Sequence, residues 1–153
     1  MLTSAYIALA VFLYPYVLLK DMKFFIAGYI QDKETVKQIY GLIRQAGHEI
    51  VTDWTNDDPV TRDDPNFFQE KQKRAVRDLE GVMECDVFVI LAEPIDGRAK
   101  YSEFGIALMS NVEKGTPHLF VVGEDTTRSL FFFHPAVKHK KSIEEVLEEL
   151  NGI

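Results

Sequence analysis

Cysteine is almost absent from this sequence of 153 residues, which contains only Cys85. A single cysteine excludes an internal disulfide, so we predict a reducing, cytoplasmic location. Basic charge is also scarce, because 24 acidic residues against 17 basic ones leave a net charge of −7. The acidic balance argues against a binder of nucleic acid polymers, since neutralising phosphates requires a basic surface. A hydrophobic content of 46% predicts a folded globular domain rather than a disordered chain.

The usual motifs of nucleotide and metal sites are missing as well. The sequence contains no GxxxxGK[ST] phosphate loop, and the segment 27–33 after the first predicted strand has one glycine, too few for a dinucleotide-binding turn. Its four histidines are scattered, and no Cys/His cluster has the spacing of a zinc site. We therefore expect no metal and no organic cofactor.

The first 21 residues differ in composition from the rest, and residues 2–19 carry no charge. A run of about 18 apolar or neutral residues is at the lower limit for a membrane-spanning helix. Three interpretations stay open: an extension upstream of a true start at Met22, a membrane anchor, or an extra helix packed on the fold. We predict that residues 22–153 form one domain and that a chain beginning at Met22 folds.

From Met22 onward, short apolar strands alternate with amphipathic helices. The predicted strands are 23–27, 49–52, 86–92 and 118–122, and the predicted helices are 35–46, 67–84, 102–112 and a last one after Ser142. The segment 86–92 is apolar almost throughout, which is typical of a strand buried on both faces of a parallel sheet. This alternation predicts a three-layer α/β sandwich, flavodoxin-like or Rossmann-like, with a mostly parallel sheet of four to five strands.

Three local expectations concern packing. The second predicted helix places Ala75, Leu79, Val82 and Met83 on one apolar face. The aromatic segment 130–135 is expected as an edge strand in the core or as part of a subunit interface. The basic run 138–141 is expected as a solvated turn.

Three carboxylates stand out near the predicted strand ends, where ligands bind in open α/β sheets. Asp96 and Glu103 flank a turn containing Gly97, in the loop after the apolar strand. Glu103 is expected at a helix start, where the helix dipole keeps a carboxylate ionised. Asp78 is expected beside the apolar face of the preceding helix. On this pattern alone, each acid is either a reactive group or an ordinary surface charge.

The stretches around these acids resemble the nucleoside 2-deoxyribosyltransferases, a family related to nucleotide N-glycosidases and TIR-like domains. The resemblance covers roughly residues 23–123. It is carried by Phe25–Tyr29, Asp78–Val82, Cys85–Asp86, Asp96–Gly97, Ser102–Ala107 and Gly115–Pro117. It implies that Glu103 is a nucleophile that attacks C1′ of deoxyribose, that Asp96 handles the base and that Asp78 orients the substrate. The predicted binding residues are Gly28, Tyr29, Trp54, Gly97, Arg98 and Ser102.

The implied activity is cleavage or transfer at the N-glycosidic bond of 2′-deoxyribonucleosides through a covalent deoxyribosyl-enzyme intermediate. The alternatives are hydrolysis of a nucleotide or NAD, and a non-catalytic nucleotide-binding module. The resemblance also implies a homo-oligomer, since the family completes its pockets with a neighbouring chain.

The sequence departs from the family at two points. Phe24 stands where the transferases commonly carry a tyrosine, and Asp96 and Glu103 are one residue further apart than their pattern. Arg98 and Lys100, which lie between the two acids, are either ligands of a 5′-phosphate or exposed loop charges.

Overall fold

Five parallel strands form the central sheet of the computed structural model, which describes residues 21–94 and 97–152. The strands are β1 (Lys23–Ala27), β2 (Glu49–Ile50), β3 (Val87–Leu91), β4 (His118–Val122) and β5 (Val137–Lys140). Their order is β2-β1-β3-β4-β5, and every neighbouring pair is parallel. This is the strand order of doubly wound, flavodoxin-like sheets, so the predicted fold class is confirmed.

Helices cover both faces of the sheet. They are α1 (Lys33–Gln45), α2 (Phe67–Glu84), α3 (Arg98–Lys114) and α4 (Ile143–Leu150). The helices α1 and α4 pack on one face against a core that includes Phe24 and Val89. The helices α2 and α3 pack on the other face, against a core that includes Phe25 and Phe88. The central strand β3 is buried throughout, as its apolar sequence predicts.

The apolar leader, residues 1–20, lies outside the described residues, so its three interpretations stay predictions. Within residues 21–94 and 97–152, no helix combines the length and the hydropathy needed to cross a membrane.

The segment after β4 differs from the prediction in two places. Residues 138–140, predicted as part of a solvated turn, belong to the edge strand β5. Lys138 and Lys140 of this strand both form ion pairs with Glu149 of α4. Leu130–Phe133 is a 3-10 turn rather than an edge strand, with Phe132 fully buried and the other three side chains exposed.

The helix α2 has the predicted bounds but not the predicted orientation. Of its expected inward residues only Val82 is buried, whereas Ala75, Leu79 and Met83 are exposed. The close contact with the sheet is made at Gly81, where a Cβ atom would collide with the side-chain oxygen of Thr52 and crowd the ring of Phe25. A glycine there lets α2 approach the sheet, and apolar side chains such as Leu79 and Met83 are left on the outer surface of the helix.

Candidate functional site

The carboxyl ends of β1 and β3 bring four of the predicted binding residues together. Gly28 directly follows β1, and a Cβ atom on it would lie 3.3 Å from the indole ring of Trp54. That indole is buried and donates a hydrogen bond from Nε1 to the carbonyl of Ile26 at 2.8 Å. Tyr29 lies against Gly97, since a Cβ atom at Gly97 would be 3.3 Å from its ring. Trp54 therefore forms a wall of this region, with its N–H group already paired inside the fold.

Gly97 marks the start of α3 and adopts φ +102°, in the left-handed region that favours glycine. The backbone turns there from the loop after β3 into the helix. Asp96, the residue before this turn, lies outside the described residues, so its predicted role with the base stays a prediction.

Glu103 is the sixth residue of α3, because the helix begins at Arg98 rather than at the predicted Ser102. It is half-buried, and its pKa is raised to about 7, chiefly by burial and secondarily by the negative charge of Asp78. The prediction that a helix N-terminus keeps this carboxylate ionised is wrong, since the side chain lies beyond the first turn. Near neutral pH, Glu103 is present in both its protonated and its ionised forms.

Asp78 reaches Glu103 electrostatically from the neighbouring helix α2 and is itself held by an arginine. Arg77 donates from Nε to the Asp78 carboxylate at 2.9 Å, and it forms two parallel bonds to Asp57 at 2.6 and 2.9 Å. These bonds hold the pKa of Asp57 below its usual range. Lys33, at the start of α1, donates to the Asp57 carbonyl at 2.7 Å. The network fixes Asp78 relative to the ends of β1 and β2.

Lys100 is fully buried, so it is neither a surface ligand for phosphate nor an exposed loop charge. Its ammonium donates to the carbonyls of Leu91 at 2.9 Å, Ala92 at 3.4 Å and Pro94. These three carbonyls belong to the end of β3 and to the loop that follows it.

The remaining residues singled out in the sequence differ in their solvent exposure. Arg98 is exposed at the first turn of α3, and Ser102 is exposed beside Met83 and Ile106 in a groove between α2 and α3. Phe24 is fully buried in the core, where the centroid of its ring lies 5.3 Å from that of His48, with the two rings tilted by 34°.

The sequence analysis did not identify Asp57 as a partner of Arg77 or Lys100 as a buried residue. Asp57 lies in a loop rich in acids, and its pairing with Arg77 spans 20 residues, so no local pattern identifies it. Lys100 does have a local signal. It stands in line with the buried residues Phe104, Ala107 and Leu108 at helical spacing.

No group of three or more metal-ligating side chains is found among the described residues. The described arrangement offers instead a half-buried carboxyl of raised pKa beside a second, anchored carboxylate. This pair provides an acid whose proton is labile near neutral pH and a fixed neighbouring charge.

No protein-family model and no curated protein matches the sequence. Among solved structures, that of the CMP N-glycosidase BcmB of Clostridium botulinum is similar, with a TM-score of 0.56. The match covers 84% of this chain and 98% of that one, at 15% sequence identity. At this identity the similarity shows the fold alone, and the chain therefore shares its fold with a CMP N-glycosidase.

Proposed function

We propose that this protein cleaves the N-glycosidic bond of a 2′-deoxyribonucleoside or a related nucleotide, with Glu103 as the nucleophile. The observation that carries the proposal is the half-buried Glu103 carboxyl, whose pKa is raised by burial and by Asp78. A carboxyl of this kind is unusual on a surface helix and typical of active sites. The fold shared with a CMP N-glycosidase and the resemblance of the surrounding residues to deoxyribosyltransferases support the same chemistry.

The proposed reaction has two steps. The ionised Glu103 carboxylate attacks C1′ of the sugar, the C1′–N bond breaks, and its electron pair leaves with the base, which takes a proton from Asp96. In the second step, an acceptor base or a water molecule attacks C1′ and gives its proton to Asp96, while the C1′–O bond of the ester breaks and Glu103 leaves as a carboxylate. The acceptor base makes the reaction a transfer, and water makes it a hydrolysis.

A nucleotide substrate is the second candidate. A structural neighbour is a CMP N-glycosidase, and Arg98 is exposed at the first turn of α3, where it is available to a 5′-phosphate. Lys100, the other base considered for this role, is buried and bound to backbone carbonyls.

The test is a chromatographic assay of the purified protein with deoxyinosine plus free adenine and, separately, with CMP or deoxy-CMP. New deoxyadenosine identifies a transferase, and free hypoxanthine with deoxyribose identifies a nucleoside hydrolase. Free cytosine with a pentose phosphate identifies a nucleotide hydrolase. If none of these products forms, the proposed activity is wrong and a nucleotide-binding role replaces it.

We also propose that the outer surface of α2 and α3 binds a second copy of this chain. Six exposed apolar side chains line this surface, which we name the α2–α3 face: Val76, Leu79, Met83, Ile106, Met109 and Val112. Its surroundings carry both charge signs, with Lys73 and Glu80 on α2 and Glu113 and Lys114 on α3. A surface with both signs can complement itself across a two-fold axis. Ser102, beside Glu103, lies in the same groove, so a partner seated there would border the site.

Replacing Met109 by Glu should convert a dimer of 17.5 kDa chains into monomers, because a charge would be buried in the apolar contact. Light scattering at micromolar concentration measures the mass. The matched control is Phe131→Glu, in the 3-10 turn, since Phe131 is 63% exposed and Met109 is 55% exposed. A parent that is monomeric, or a dimer dissociated only by the Phe131 variant, would contradict the assignment to this face.

A further inference from the structure

Lys100 carries a charge in a place where a charge is costly. Lysine is rarely buried completely, and an ammonium without hydrogen-bond partners inside a protein is strongly unfavourable. Here the side chain is 0% exposed, and three backbone carbonyls accept from its Nζ. An ammonium is a donor only, and these carbonyls accept hydrogen bonds from it, which offsets part of the cost of burying its charge. The arrangement indicates a specific site for the ammonium rather than a chance burial.

Lys100 and the carbonyls that it contacts belong to different segments of the chain. Leu91 is the last residue of β3, and Ala92 and Pro94 follow it in the loop. Lys100 belongs to the first turn of α3, and its backbone N–H donates to the carbonyl of Gly97 at 3.2 Å. The ammonium therefore connects the first turn of α3 to the end of β3 and to Ala92 and Pro94 just after it.

This connection determines where the start of α3 lies on the sheet. Carbonyls that leave a buried strand need a donor, and helix α3 supplies one in the Lys100 side chain. Glu103 follows Lys100 by three residues on the same helix, so its carboxyl moves with the first turn.

We propose that Lys100 is a positioning residue that holds the end of β3 and the following residues Ala92 and Pro94 against the first turn of α3, and through that turn positions the Glu103 carboxyl. The kinetic part of this proposal rests on the proposed function, and the structural part does not. The side chain of Lys100 is fully buried, so we expect it to act by holding the backbone carbonyls that it contacts rather than by binding substrate.

The first test compares Lys100→Met, which keeps most of the side-chain length without the charge, with Lys37→Met. Lys37 is an exposed lysine on α1 whose ammonium pairs with Glu34 one turn earlier on the surface of the helix. In Lys100→Met, amide hydrogen exchange in peptides covering 92–101 should be at least ~10-fold faster, with α1 and α4 unchanged. On a substrate that the parent cleaves, kcat should fall at least ~10-fold while KM changes by less than ~3-fold. The Lys37 variant should match the parent in both measurements.

Two results would overturn the proposal. Unchanged exchange in 92–101 would show that the ammonium does not hold the loop. Faster exchange with an unchanged kcat would show that Lys100 serves stability only. If the parent cleaves no nucleoside or nucleotide, the proposed function fails, while the exchange result still decides whether Lys100 holds the loop.

A second test uses the parent protein and does not depend on the folding of a variant. Reductive methylation of the native protein, followed residue by residue by mass spectrometry, should modify Lys100 at least ~100-fold more slowly than Lys37. Equal rates would show that the Lys100 ammonium is accessible in solution and would refute its proposed role as a buried positioning residue.

Discussion

Glu103→Gln should abolish turnover, with a loss of at least ~10³-fold in kcat and an unchanged fold. An amide is neutral and too weakly nucleophilic to capture C1′ of a sugar, although glutamine has nearly the same shape as glutamate. Glutamine is also tolerated at this position in a helix. The measurement is kcat on the substrate identified for the parent, with circular dichroism to confirm the fold.

The matched control is Glu148→Gln, on the exposed surface of α4, which should keep the activity of the parent. Intact-mass analysis adds a direct readout, because a covalent sugar adduct should form on the parent and not on the Glu103 variant. A Glu103→Gln variant with near-parental turnover would refute the nucleophile assignment.

Activity should rise with pH through the pKa of Glu103, which burial and Asp78 place at about 7. Only the ionised carboxylate can attack, so kcat/KM should fall about tenfold for each pH unit below that value. This profile distinguishes Glu103 from an exposed glutamate, for which activity would rise near the ordinary pKa of 4.5.

Asp78→Asn should shift the acidic side of the kcat/KM pH profile, where activity rises with pH, to lower pH. Removing the negative charge of Asp78 removes one of the two causes that raise the pKa of Glu103, so the carboxylate ionises more readily. The pH dependence of kcat/KM checks the shift, with Asp63→Asn in the exposed loop before α2 as a control of equal charge change. An acidic side that shifts upward, or shifts equally in both variants, would contradict the coupling of Asp78 to Glu103.

The parts of the fold that were predicted correctly depend on local patterns. The apolar run around Val87–Leu91 identifies the central strand without knowledge of its neighbours. Ser142 and Glu145 predict the start of α4, where the Ser142 hydroxyl accepts from the Glu145 amide at 3.4 Å. Both signals need only a few adjacent residues.

The parts that were missed depend on contacts between distant segments. The lysines of β5 do not predict a strand. They are tolerated in one because Glu149 of α4 compensates their charges and because an edge strand accepts charged side chains. The apolar positions of α2 predict that one side of the helix packs against another part of the protein. Their periodicity does not show which side packs against the sheet. Gly81 decides this, since the contact with Phe25 leaves Leu79 and Met83 outside.

The same limit applies to the candidate site. The acids at 78, 96 and 103 could be selected from their positions and from the family resemblance. The environment of Glu103 could not, because it depends on the start of α3 and on the packing of α2 beside it. The role of Asp57 requires the loop after β2 to fold back onto Arg77.

The raised pKa of Glu103 also has a cost in folding stability. Between its ordinary pKa of 4.5 and about 7, the unfolded chain is ionised at Glu103 while the folded chain keeps the proton, so stability falls as pH rises. Above that range the folded protein carries the whole penalty of a desolvated carboxylate. Glu103→Gln should therefore melt at a higher temperature than the parent at about pH 8, and the two melting temperatures should converge near pH 4. The residue on which catalysis depends would then be one that the fold accommodates at the expense of its own stability.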